Sequence, residues 1–242
     1  MKKYFILLIG FCIACNNNDE NHKKEQFTLQ LGDLLFQDLD SSPLCDAIEL
    51  VTPGYKGGNF SHIGIVVETN QPPLPANPNE VCEEKYFYSI EQDVKVLESL
   101  PGGVKTTRLD SFINRSFDQN NNPKVIVGRL KAEYRYKIQD AIAFLKKQIG
   151  EEYDNAFLIN NNSYYCSELI YEAFIKDSIF LLQPMNFLHP NSKDTIDTWK
   201  KYYSEIGIPI PQNQMGINPG IMSLSNKIEI VHIYGHPDGM KK

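Results

Sequence analysis

Nowhere does this chain gather charge of one sign. No cluster of Lys and Arg suits a phosphate backbone, and acidic residues outnumber basic ones, 30 to 24, for a formal net charge of -6. Nucleic acid is therefore not expected as a partner. No His/Cys pair has metal-ligand spacing, so neither a metal nor another cofactor is expected. Past the first residues there is no long apolar run, no internal repeat and no second linker. Disorder is excluded by what is present, since 42% of residues are hydrophobic and 11% aromatic. A length of 242 residues allows one compact domain with a substantial core, or two small ones.

The amino terminus has its own pattern. Lys2 and Lys3 precede the apolar stretch Tyr4 to Ile13, and small Ala14 stands just before Cys15. A basic start followed by a short apolar segment reads as a secretory signal over residues 1–14, too short for a membrane span. The ending Cys12-Ile13-Ala14-Cys15 resembles a bacterial lipobox, although Cys12 stands where Leu is more usual. That resemblance implies lipidation of Cys15 and an exported, membrane-anchored lipoprotein of the cell envelope. The polar run from Asn16 to Gln26 then reads as a flexible tether. Plain secretion, or an uncleaved anchor, is the alternative.

From residue 27 to 242 the pattern is that of one domain. Gly32-Asp33 leads into a short strand or turn, and Ile63 to Val67 is an apolar run of buried-strand length. The stretch Asn70 to Pro78 holds four prolines and reads as an exposed insertion, extending to about Lys85. Tyr86 to Ile90, Val94 to Ser99, Lys124 to Leu130 and Lys227 to Tyr234 are further expected strands. Tyr134, Ile138, Ala141, Ile142, Leu145 and Ile149 recur at helical spacing, with Gly150 as the stop. Cys166, Leu169, Ile170, Ala173 and Phe174 repeat that spacing, with Ser163 and the asparagines before it as expected caps. Strands and helices are segregated rather than alternating, which argues for an α+β fold.

Three side chains on these elements carry chemistry. Cys166 is expected in the first turn of its helix, where the helix dipole and free amides favour a thiolate and can hold an oxyanion. A core cysteine is the bland alternative. His62 opens the buried strand and can project from its end toward a helix terminus, as a thiol–imidazole pair requires. Glu98 shares a face with Val94 and Val96 by strict alternation, and a carboxylate on an apolar face needs a partner such as an imidazole. Glu68 and Glu91 are the other carboxylates considered. Tyr165 and Tyr153 are candidate cleft residues for binding substrate. Cys45 and Cys82 could pair in an oxidising compartment or remain free thiols.

Gly32-Asp33-Leu34-Leu35-Phe36, Ser61-His62-Ile63-Gly64-Ile65-Val66 and Tyr165-Cys166-Ser167-Glu168-Leu169 resemble the YiiX/YebB-like branch of the NlpC/P60 superfamily. So do Val96-Leu97-Glu98-Ser99 through Arg108-Leu109-Asp110, and Gly150-Glu151-Glu152-Tyr153-Asp154. In that branch the papain-like order is permuted, so the histidine strand precedes the cysteine helix. The resemblance implies an antiparallel sheet or partial barrel packed on the cysteine helix. It also implies Cys166 as nucleophile, His62 as base and Glu98 as the orienting group. The insertion after Thr69 separates the histidine strand from the Glu98 strand more widely than the family pattern. The expected function is a cysteine hydrolase acting on peptide, amide or acyl substrates of the cell envelope. A lipid acyltransferase of the lecithin:retinol kind and a non-catalytic envelope binding module are the alternatives.

Overall fold

The computed structural model describes residues 27–69 and 94–242. The signal and tether assigned to residues 1–26, the insertion after Thr69, the strand expected at Tyr86 to Ile90, and Glu91 and Cys82 lie outside the described residues.

The described strands form one six-stranded antiparallel sheet. Its members are β1 (Leu34–Gln37), β2 (His62–Glu68), β3 (Lys95–Leu100), β4 (Gly103–Arg108), β5 (Val125–Leu130) and β8 (Ile228–Ile233), in the order β4-β3-β2-β1-β5-β8. A separate two-stranded ribbon pairs β6 (Gln183–Pro184) with β7 (Met215–Gly216). Four of the expected strands are found, with ends moved by at most one residue. After β3 the chain turns at Pro101-Gly102-Gly103 and runs back as β4, a strand that was not expected. Leu100 pairs with Gly103, and Gly102 takes φ +106 behind Pro101, the positive φ that this tight turn requires.

Both faces of the sheet are covered, which explains why β1 and β2 read as unbroken apolar runs. Leu34, Phe36, Ile63, Ile65 and Leu97 point into the larger core. There they meet α3 (Ile138–Lys147), α4 (Cys166–Ala173) and Trp199 and Tyr203 of α5 (Asp197–Ile206). Leu35, Val66, Val96 and Val127 face a smaller core closed by Leu109 and Phe112 of α2 (Leu109–Ile113). Gly64 makes that second layer possible. A Cβ there would lie 2.5 Å from Val96 Cγ1 and 2.8 Å from the Phe112 ring, so only glycine lets α2 come down on the sheet.

The helix predicted from Tyr134 begins as a 3-10 turn, Ala132–Lys137, before α3 proper. At α4 the expected caps are replaced. Tyr165 is the N-cap residue, and the Glu168 carboxylate reaches back to accept its N–H at 3.3 Å. Ser163 instead bonds Asn161 within the preceding turn. A carboxylate three positions into the helix thus satisfies the N–H of the N-cap residue, the reach-back half of a capping box. Two further helices complete the described residues, α1 (Pro43–Val51) and α6 (Pro219–Ser223).

Candidate active site

Cys166 is the first residue of α4 and is buried. Three bonds hold the start of that helix in place. Ser99 Oγ of β3 donates to the Tyr164 carbonyl, Ser167 Oγ donates to the Ile217 carbonyl, and the Ile217 N–H donates to the Tyr165 hydroxyl. The thiol itself points at the carbonyl of Ser61, the residue before β2, with Sγ 4.0 Å from that oxygen. The cysteine therefore sits at the end of the strand that His62 opens.

His62 shares its face of β2 with Gly64 and Val66. Its ring packs 5.6 Å from the ring of Phe112, and only 2% of the residue is exposed. Nε2 lies 2.7 Å from Glu98 Oε2, and the Cys166 thiol, set at the end of the same strand, is the other group that acts on the ring. Burial works against a charge on this ring. The bonds to Cys166 and Glu98, and the two neighbouring charges, outweigh it and push the imidazole up to about 9. At neutral pH the imidazole therefore carries its proton.

Glu98 is entirely buried on the α2 side of β3. The partner expected for a carboxylate on an apolar face is His62. Burial alone would raise this carboxyl. Bonds from Arg115, then His62 and Thr107, hold it well below the usual carboxylate range. Cys166, His62 and Glu98 are thus brought together, although more than a hundred residues separate the first from the second. Glu68 is not part of the site; it pairs on the surface with Lys95 at 2.7 Å.

Sequence reasoning missed two members of this cluster, Thr107 and Arg115. Thr107 Oγ1 donates to Glu98 Oε1, and Arg115 donates from both terminal nitrogens to the two oxygens at 2.6 Å each. Thr107 could have been found by register. Its strand was not foreseen, but Val96 pairs with Thr107 and Glu98 with Lys105, which puts all four on one face. Nothing in the sequence marks Arg115, because a turn after a five-residue helix delivers it.

A cavity of about 350 Å³ opens beside Cys166. Tyr153, Phe157, Trp199 and Phe187 make its aromatic wall, and Ile48, Ile217 and Ile221 add aliphatic surface. Among the described residues, none that lines it is charged. Both expected cleft tyrosines line it, with different roles available to their hydroxyls. That of Tyr165 accepts from the Ile217 N–H, whereas that of Tyr153 has no hydrogen-bond partner among the described residues. Burial, with the Cys166 charge next, pushes the Tyr153 phenol well up, so it keeps its proton.

One group of carboxylates elsewhere has the proximity a metal would need. Oxygens of Asp38, Asp40 and Asp238 lie within 4.8 Å of one another. The buried Lys124 ammonium is ion-paired to all three at 2.7 to 3.2 Å, so the site already holds its cation. Cys45 is a free thiol beside Ser41 and Ser42.

Comparison with known proteins bears on the family and the fold. Residues 28–232 match the model of a family described as permuted papain-like amidase enzymes, YaeF/YiiX, C92 family. No curated protein is similar. Among solved structures, the metalloprotein yiiX from Escherichia coli O157:H7 superposes with a TM-score of 0.62 at 21% identity, over 86% of this chain and 99% of that one. At that identity the likeness is one of fold.

Proposed function

Since the chain belongs to the permuted papain-like amidase family, and is on that ground a cysteine hydrolase, we propose that it cleaves an amide with Cys166 as nucleophile, His62 as acid and base, and Glu98 as the group that orients the imidazole. The observation that carries this reading is the bond of His62 Nε2 to Glu98 Oε2 at 2.7 Å, with the Cys166 thiol set at the end of the strand that His62 opens. With Nε2 occupied, the other ring nitrogen is left for the thiol.

The chemistry follows from the proton's position. The thiolate of Cys166 attacks the carbonyl carbon, and the carbonyl π pair moves onto oxygen. The Cys166 N–H, in the first turn of α4 and without a helical partner, is aimed to receive that oxyanion. The Tyr153 phenol is a second free donor on the cavity wall. As the tetrahedral adduct collapses, the C–N bond breaks and the His62 imidazolium gives its proton to the departing amine. The neutral imidazole then takes a proton from water as the hydroxyl attacks the thioester. Release of the acid restores the thiolate–imidazolium pair.

The cavity favours one class of acyl group. A charged side chain entering a wall of Phe157, Phe187, Trp199 and Ile217 would be desolvated without a counter-charge. An apolar acyl chain would bury its methylenes there at about 0.8 kcal/mol each. Between an envelope peptide rich in charge and a neutral acyl amide, this wall favours the acyl amide. Transfer of the acyl group to an acceptor other than water would use the same thioester, and is the second reading. The lipobox-like ending at Cys15 supports an exported enzyme tethered beside its membrane-derived substrate.

A panel of neutral N-acyl amides of increasing chain length, set against anionic peptidoglycan fragments, tests this. Amine release should rise with acyl length and vanish in Cys166→Ala. Cleavage confined to the anionic fragments would overturn the acyl reading, and undiminished turnover by Cys166→Ala would overturn the mechanism. In cells fed an alkyne fatty acid, Cys15→Ser should lose the lipid label; retained label would dismiss the anchor.

A further inference from the structure

Glu98 has more partners than an orienting carboxylate requires. Its Oε1 accepts from Thr107 Oγ1 and from Arg115 Nη2. Its Oε2 accepts from Arg115 Nη1 and lies against His62 Nε2. A carboxylate offers about four lone-pair sites, and all four are engaged. Arg115 supplies two of them in the planar fork that matches a carboxylate edge to edge. Its guanidinium lies 5.2 Å from the centre of the Phe112 ring, the same ring that packs on His62. One arginine thus touches both the carboxylate that bonds the imidazole and the aromatic ring that supports it.

We propose that Arg115 is a positioning residue of the active site, fixing the plane and the charge of Glu98 and through them the orientation and proton affinity of His62. The argument has a geometric and an electrostatic part. Geometrically, the terminal torsion of a glutamate is broad, and a single bond to an imidazole leaves the carboxylate free to rotate about it. The fork removes that freedom and aims one oxygen at Nε2. Electrostatically, a fully buried carboxylate with only one cationic neighbour would concentrate its whole field on His62. Arg115 shares that field and keeps the imidazolium acidic enough to release its proton to a departing amine.

A simpler role would be a latch, an ion pair that pins the turn after α2 to β3 and nothing more. The two roles differ in what they move. A latch changes thermal stability and leaves the titration of the Cys166–His62 pair where it was. A positioning residue changes that titration.

The proposal rests on the catalytic reading of Cys166, so the test needs no substrate. The rate of iodoacetamide alkylation at Cys166, followed on its own peptide by mass spectrometry, is measured against pH for the wild type, Arg115→Met and Arg115→Lys. In the wild type, a plateau of high reactivity should extend through neutral pH to an alkaline edge set by His62. An ordinary single-thiol curve there would overturn the catalytic reading itself. With that plateau present, Arg115→Met should move the alkaline edge upward by about half a pH unit or more, because Glu98 then acts on His62 alone. Arg115→Lys, which keeps the charge and loses the fork, should restore most of the edge position. On an amide substrate both variants should lose about tenfold or more in kcat with KM little changed, as expected of a misaimed base. Ser116→Ala, which removes the neighbouring bond to Asp40, serves as the latch control. Superimposable pH curves for wild type and Arg115→Met, with only the melting temperature lowered as in the control, would overturn the proposal.

Discussion

At the scale of single residues, the site is a competition between burial and pairing. His62 and Glu98 are both removed from water, which alone would leave each of them neutral. Mutual bonding reverses this, lowering the carboxyl and pushing the imidazole up to about 9. The sign is definite. A raised imidazole keeps its proton below that pH and loses it above, so the form able to protonate a leaving amine disappears on the alkaline side. The pH profile of kcat/KM should therefore carry an alkaline limb near 9, and a limb near the ordinary imidazole value of about 6.5 would contradict the pairing. Glu98→Gln keeps the shape and removes the charge, and should cost about 10²–10⁴-fold in kcat while shifting that limb downward. Steady-state rates across pH 6 to 10 check both. In the sequence, Cys166, His62 and Glu98 each had a bland reading of at least equal weight, and their order together with the family resemblance singled them out. Arg115 was not singled out, since a surface arginine and a guanidinium buried on a carboxylate look alike before the chain is folded.

At the scale of elements, the strands that carry the site were readable and their support was not. The alternation in β3 put Glu98 on the face of Val96, and the apolar run of β2 placed His62 at its first residue. The return strand β4 has the weak pattern of an edge, with Lys105, Thr106 and Arg108 outward, and periodicity did not reveal it. Helix α2 is only five residues long, too short for a helical period to show. Its placement nonetheless decides the site, because Phe112 sits on His62 and the next turn delivers Arg115. Gly64 is the point where this layer meets the sheet. Gly64→Ala should cost about 1–3 kcal/mol, since its methyl overlaps Val96 and Phe112 and the layer has to lift. Urea unfolding measures that cost, and an unchanged midpoint would show that α2 yields freely. Activity should fall with it, by way of His62.

At the scale of the whole molecule, the cavity beside Cys166 is assembled from segments that share nothing in sequence. Ile48 comes from α1, Tyr153 and Phe157 from the approach to α4, and Trp199 from α5. Met185 and Gly216 come from the ribbon and its flank, and Ile221 from α6. Its defining property, a wall without charge, belongs to no single segment, because Asp154, Glu168 and Lys200 lie close in sequence to lining residues and point elsewhere. Ile221→Lys tests that property away from the triad. The variant should bind neutral acyl amides at least about tenfold more weakly, for want of a counter-charge in the wall, while alkylation of Cys166 proceeds as before. Unchanged KM for the acyl amides would show that the acyl group lies outside this cavity. The sequence by itself determined the α+β class and the order in which the histidine strand precedes the cysteine helix, because alternation, helical spacing and turn residues are local properties of a chain; the permuted reading of that order came from the family resemblance. Only the tertiary structure decided that Arg115 and Thr107 complete the hydrogen bonding of Glu98, that the Tyr165 hydroxyl accepts from Ile217, and that no described residue lining the cavity is charged. Those are matters of which distant side chains share a few ångströms of space, and burial and pairing are settled only once the layers have closed on one another.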